Sequence, residues 1–181
     1  MKIVSKILFV TLVIALVSAT AFGQAYKKGD KMLNAGIGFG FGFGTGTSDL
    51  PPISLGFQFL SLEDKISLGA IVGYASSTDE LNLFTTKYTW KYTYIIVGAR
   101  GEYHLLESSK NLDAYVGVTL GYNNVTVTTP SGYAGAYSVG ASGLLYGGVV
   151  GARYYFSPSL GVFGEFGYGI SYLTAGVAVK L

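Results

Sequence analysis

The chain has 181 residues, one domain's worth, with 12% charged residues against 50% hydrophobic ones. A soluble domain carries about twice that share of charge, so a molecule bathed in water on every side fits poorly and an outer surface touching lipid fits well. The absence of cysteine excludes a disulfide framework, a thiolate metal site and a lipid-modified N-terminal Cys, and a net charge of +2 from scattered basic residues leaves no footprint for nucleic acid.

Lys2 and Lys6 form a positive start, residues 7–17 a short apolar core, and Ala19, Ala21 and Gly23 the small residues of a cleavage site. This is the pattern of a secretory signal peptide. It predicts a signal over 1–23 and a mature domain over 24–181, with cleavage before Gln24 or, nearly as well, after Ala21. No later window reaches the roughly 18 apolar residues of a transmembrane helix.

The mature chain reads as eight segments of strict alternation, the signature of strands. In the first, Leu33, Ala35, Ile37, Phe39, Phe41 and Phe43 take one face, and Asn34, Gly36, Gly38, Gly40 and Gly42 the other. One face is wholly apolar and the opposite one tiny or polar, which suits a barrel with lipid outside and a crowded lumen inside. The second sets Ile53, Leu55, Phe57 and Phe59 against Ser54, Gly56 and Gln58; the third, Ile66 to Tyr74 against Ser67, Gly69, Ile71 and Gly73. The fourth places Ile95, Val97, Ala99 and Tyr103 opposite Ile96, Gly98, Arg100 and Glu102, and the fifth Val116, Val118, Leu120 and Tyr122 opposite Asp113, Tyr115, Gly117 and Thr119. The sixth opposes Leu144, Tyr146 and Val150 to Leu145, Gly147 and Arg153. In the seventh, Val162, Phe166, Tyr168 and Ile170 oppose Phe163, Glu165 and Gly167; in the last, Leu173, Val177 and Leu181 oppose Thr174, Gly176 and Lys180.

Connections at 61–65, 106–112 and 157–159 are short, whereas those at 45–52, 76–87 and 123–141 are mostly longer and rich in Ser, Thr, Tyr and Gly. Short periplasmic turns and longer outer loops are the rule for such barrels, and an even strand number puts both mature termini in the periplasm. The fourth to sixth segments exceed about 10 residues and are expected to project beyond the membrane. Aromatic rings at segment ends predict two girdles at headgroup level: Tyr103, Tyr154 and Phe156 near the short turns, and Tyr74, Tyr122, Tyr146, Tyr168 and Tyr172 near the longer loops.

From about Lys31 to Leu181 the chain resembles the small eight-stranded outer-membrane barrels of the OmpA/OmpX type, within the outer-membrane β-barrel domain family. The resemblance rests on the alternating segments, the opening GIGFGFGFG and the closing TAGVAVKL. It implies a porin-family barrel of the Gram-negative cell envelope, inserted by the barrel-assembly machinery. That machinery usually recognises a terminal aromatic residue, and Leu181 departs from it. The family's functions range from anchoring and adhesion to solute channels and lipid-modifying enzymes, so the resemblance names a fold and no single activity.

Arg100, Glu102, Asp113, Arg153, Glu165 and Lys180 are the charged residues of inward parity. Pairing through 106–112 would put His104 opposite Asp113 and Glu102 opposite Tyr115, and pairing through 157–159 would bring Arg153 within diagonal reach of Glu165. An eight-stranded lumen is just wide enough for side chains, so Arg100, Glu102, Arg153, Glu165 and Lys180 are expected to form an ionic plug. Chemistry has little to build on. One histidine, His104, near the periplasmic rim, supports neither a Ser-His-acid arrangement nor a protein-built metal site. The glycine run lacks the spacing and the following helix of a phosphate loop. No catalytic, cofactor or metal residues are assigned, and no enzyme is expected.

The expectation is a closed, plugged barrel that meets an external partner through its outer loops, including Tyr133 and Tyr137, and through a strand extension around Tyr88, Trp90 and Tyr92. The alternative is a narrow channel for small or apolar solutes, with Tyr92 and Tyr94 at its mouth. N-terminal sequencing of protein recovered from the outer-membrane fraction should begin at or near Gln24; retention of Met1 would overturn the export reading.

Overall fold

The computed structural model describes residues 26–41, 47–63, 65–83, 86–106, 111–128 and 142–181. The expected signal peptide, Phe43, Tyr133 and Tyr137 lie outside them. Eight strands run β1 (Met32–Phe41), β2 (Thr47–Glu63), β3 (Ile66–Leu83), β4 (Thr86–His104), β5 (Leu112–Thr128), β6 (Gly143–Tyr155), β7 (Leu160–Tyr168) and β8 (Ser171–Lys180). Each pairs antiparallel with the next, and β8 returns to β1, giving a closed up-and-down barrel. Closure removes every sheet edge over the paired length.

The period-two pattern becomes two surfaces. Outward positions carry large apolar side chains open to the surroundings, with Val118 68% and Leu144 74% exposed. Inward positions are buried or half-buried and mix charged and polar groups, a few large rings and aliphatic side chains, and many glycines. The small residues are there because the lumen is filled from across it. A Cβ on Gly36 would stand 2.8 Å from the Phe163 ring, and one on Gly176 would stand 2.7 Å from it and press on the Ala35 carbonyl. Gly36 and Gly176 face each other across the β1–β8 ladder, so this seam closes around a phenyl ring because neither side brings a side chain of its own.

The strands are unequal. β2 to β5 span 17, 18, 19 and 17 residues, β6 has 13, and β1, β7 and β8 have 10, 9 and 10. Of the strands expected to be long, β4 and β5 are, β6 falls short of them, and β2 and β3 join them. Much of what reads as loop is strand: Thr78↔Lys91 through Leu83↔Thr86 continues the β3–β4 ladder, and Lys91↔Thr128 tops the β4–β5 ladder. β6 stops at Gly143 opposite Asn123. One side of the barrel thus rises as a wall, roughly 30 Å along β4 at about 3.3 Å per residue. Pro51 and Pro52 fit in β2 because the register to β3 jumps from Leu50↔Ser76 to Ile53↔Tyr74, skipping both, and the ladder to β1 ends at Ile53.

Ile170 departs from its expected outward parity. It sits in the bend between β7 and β8, and its side chain leans across the mouth to Gly73 of β3, where an added Cβ would lie 2.7 Å from Ile170 Cδ1. The turn of the chain at Gly169–Ile170, rather than strand alternation, aims it.

The seam makes a prediction. Gly176→Ala should destabilise the barrel by about 1–3 kcal/mol through overpacking, which lowers the refolding midpoint. Gly164→Ala, where an added Cβ would meet only the Thr174 carbonyl at 4.0 Å, should be close to neutral. Urea titrations of the two variants check the difference.

Candidate functional site

The lumen gathers its charges into one connected group across β4, β5, β6 and β7. Arg153 is 0% exposed. Its Nη1 donates to Asp113 Oδ2 at 2.9 Å, its Nη2 to Glu102 Oε2 at 2.6 Å and its Nε to Asn34 Oδ1 at 3.2 Å. Its guanidinium carbon stacks 3.9 Å over the Tyr115 ring. Arg100 donates from Nε to Glu102 Oε1 at 2.8 Å and through its two terminal nitrogens to both oxygens of Glu165. Tyr115 Oη donates to Glu165 Oε1 at 2.6 Å. Glu102 therefore bridges the two arginines, and Tyr115 ties the stacked Arg153 to Glu165. The arginine forks suit this job, since each offers five donors in a rigid plane and every carboxylate oxygen needs a partner when water is excluded.

His104 extends the group downward. Its Nδ1 lies 2.7 Å from Asp113 Oδ1 and its Nε2 3.0 Å from Ser67 Oγ, so a Ser-His-acid arrangement is present against expectation, with all three side chains buried. An ionised carboxylate only accepts, so Nδ1 carries a proton. Beneath it the Tyr26 ring stacks at 3.6 Å and 5°, and Tyr26 Oη donates to the Ile66 carbonyl at 3.0 Å. Residues 26–31 thus close the end of the barrel as a floor, fastened at its far side by Lys180 Nζ, 3.2 Å from Asp30 Oδ2.

Of the five residues expected in the ionic layer, Arg100, Glu102, Arg153 and Glu165 come together, while Lys180 belongs to the floor, with Asp30 and 4.6 Å over the Tyr155 ring. The partners differ from expectation. Arg153↔Phe163 and Gly151↔Glu165 are the paired positions, which puts Glu165 at the expected diagonal from Arg153, yet its carboxylate turns to Arg100. His104 stands opposite Tyr115 and Glu102 opposite Gly117, two residues away from the expected register, so Asp113 meets His104 diagonally. A shift by two keeps every residue on its own face, so hydrophobic alternation cannot distinguish the two registers. Gly117 opposite Glu102 leaves the space that the Arg100 guanidinium fills, 3.3 Å from where a Cβ would be. Asp113, His104, Tyr115 and Asn34 are participants that the expected layer left out; their inward parity was the available signal. Tyr26 precedes the first alternating segment and gave none.

The girdle candidates lie on the outer face. Tyr146 and Tyr168, and Tyr168 and Tyr172, are neighbouring rings with centroids 6.3 Å apart. Tyr122 and Tyr74 stand at comparable positions on β5 and β3, paired with Leu144 and Ile53. Tyr103 and Tyr154 are exposed at the opposite end, and Phe156 is half-buried beside them. In the wall, by contrast, polarity inverts. Above Ile95, the outward residues are Thr93, Lys91 and Thr89, with Asn124, Thr126 and Thr128 on β5, while Tyr94, Tyr92 and Trp90 point to the lumen side. The Tyr92 and Tyr94 rings stack with centroids 6.4 Å apart. The backbone at Tyr88 continues this face.

Among the described residues no group of three or more His, Asp or Glu is placed to hold a metal ion.

No family model matches the chain, and no curated protein does. Among solved structures it is similar to the N-terminal β-barrel domain of OprF from Pseudomonas aeruginosa, with a TM-score of 0.45 and 14% identity, over 84% of this chain and 96% of that one.

The partner assignment is testable by double-mutant cycles. Glu165→Gln should cost up to about 3–5 kcal/mol by leaving Arg100 half-paired among buried groups. Combining it with Arg100→Met should recover more than about 1 kcal/mol of that loss, whereas combining it with Arg153→Met, which reaches Glu165 only through Tyr115 and Glu102, should recover distinctly less. Equal coupling in both cycles would contradict the geometry.

Proposed function

We propose that this chain is an exported barrel of the bacterial outer membrane, inserted by the barrel-assembly machinery, with both mature termini in the periplasm and a lumen plugged by its ionic group. In that setting it is a structural and surface-interaction protein, meeting an external partner through the wall of β2 to β5 and the loops it carries. The observation that supports this most is the pair of opposed polarities on one set of strands. A closed ring with exposed Val118, Leu144 and Phe166 outside and buried Arg153 and Glu102 inside satisfies lipid and excludes it from the charges. Where the wall begins, Thr and Lys replace the apolar residues outside, as a segment standing in water requires.

The bonds of the ionic group support the plugged reading. Arg153 makes three side-chain hydrogen bonds and both Glu102 oxygens are taken, so an ion would have to break several charge-assisted bonds to pass. The wall then remains the feature with no duty in holding the barrel closed. Its Tyr92 and Trp90 rings, beside the rim, are the rigid amphipathic kind that carry contact energy at low entropic cost.

A narrow channel for small or apolar solutes is the second reading, favoured by the glycines that line the lumen above the ionic group. Planar-bilayer recordings of the refolded protein separate the two. Discrete conductance steps should be absent, and Val118→Arg should destabilise the lipid-embedded barrel by about 2–4 kcal/mol. Steps whose size changes in Arg100→Met would replace the plug with the channel, and tolerance of Val118→Arg would remove the membrane itself from the reading.

A further inference from the structure

Gln58 is the one large inward amide of β2. It is 1% exposed, and neither its Nε2 nor its Oε1 has a hydrogen-bond partner in the protein. A buried amide with both ends unmatched is costly, and such groups are as a rule matched by water. Gln58 borders a cavity shared with Asn34, Ser54, Phe163 and the Arg100–Glu165 pair, which leaves about 10 Å³ for the centre of a water molecule. A second cavity of about 20 Å³ adjoins it through Ser54, Ile71, Arg100 and Glu165, and reaches up to the Tyr168–Ser171 turn at the rim. About 10–15 Å³ holds one water, provided two to four polar partners surround it. The lower cavity has Gln58, Asn34 and Ser54, and the upper has the hydroxyls of Ser54, Thr119 and Thr174.

We propose that the two cavities form one water-binding recess, entered from the rim beneath Ile170 and ending blind at the Gln58 amide. The exposure of the ionic group falls in that order. Arg100 and Glu165, which border the recess, keep 6% and 7%, while Glu102 has 2% and Asp113 and Arg153 have none. Below Gln58 the lumen is filled by Met32, by Arg153 and by the Tyr26–His104 stack. Ile71, Leu145, Val149 and Ile170 line the upper cavity beside its hydroxyls, and a space of about one or two waters has no room for a hydrated ion, so the recess takes water and neutral solutes of its size. This goes beyond a plug, because it divides the lumen into a wet half on the wall side and a dry half above the floor.

The test uses the unaltered protein first. Nuclear Overhauser contacts between water and the Gln58 side-chain amide should be present in nanodiscs; a silent amide would overturn the site. Because the chain has no cysteine, single thiols then map access. Ser54→Cys lies in the recess and Ser67→Cys below the ionic group. Hydrogen peroxide, a neutral probe near water in size, transfers one oxygen to an accessible thiolate to give a sulfenic acid, with hydroxide leaving. Mass spectrometry of the cysteine-bearing peptides should find the Ser54→Cys thiol oxidised at least about tenfold faster than the Ser67→Cys thiol, in line with access controlling the rate. Equal rates would overturn the one-ended recess, and so would an inert Ser54→Cys.

Discussion

A guanidinium without any contact with solvent lies across the lower lumen of this barrel, and the charged part of the interior is arranged around it. Arg153 must find partners for its donors inside the protein, because an isolated buried charge costs several kcal/mol. Asp113, Glu102 and Asn34 supply them from three other strands. Each of those acids then needs further partners of its own, which brings in His104 and Arg100, and through Arg100 also Glu165 and Tyr115. The group has no natural stopping point short of crossing the whole lumen. The glycines opposite it follow, since wide planar side chains fill a narrow tube only if the facing wall is bare.

The same strands meet a different demand a few residues higher. At the level of Ile95 the outer face is apolar; at Thr93 and Lys91 it is polar, and the rings move inside. One continuous strand thus carries both alternations, in opposite phase, with no change in hydrogen-bonding pattern. The ladder holds the wall together independently of what surrounds it. Side-chain polarity alone places the boundary, so the wall is a continuation of the barrel by its backbone and a separate surface by its chemistry.

Strand number, closure and facing were legible because they depend on parity, which eight segments state repeatedly. Register was not, because a slide by two residues leaves every face as it was; hence His104 meets Tyr115 squarely and Asp113 only diagonally. Partner choice among the lumen charges inherits that ambiguity. Arg153 and Glu165 stand on adjacent strands, yet the longer reach across the tube decides that Glu165 binds Arg100. Ser- and Thr-rich stretches such as 76–83 resemble loops by composition, and they are strands because the neighbouring strand is long enough to pair with them. Ile170 and Tyr26 lie just outside regular alternation, where parity has nothing to say and tertiary contacts alone place the side chain.

The β1–β8 seam bears on how the chain folds. Seven of the eight ladders join strands that are neighbours in sequence and can form as hairpins, most of them closing a short loop. The eighth brings Met32 to Lys180, the two ends of the domain, and forms only after nearly the whole chain is in order. Closure entropy grows slowly with loop length, by about 0.6 kcal/mol per doubling, so the greater obstacle is kinetic: a non-local pairing has to wait for the rest. Two contacts made only on closure strap that joint, Arg153 to Asn34 from within and Lys180 to Asp30 beneath. Until they form, the unclosed sheet presents two unpaired edges, and the interval before closure is when this chain is most open to pairing with a neighbour of its own kind.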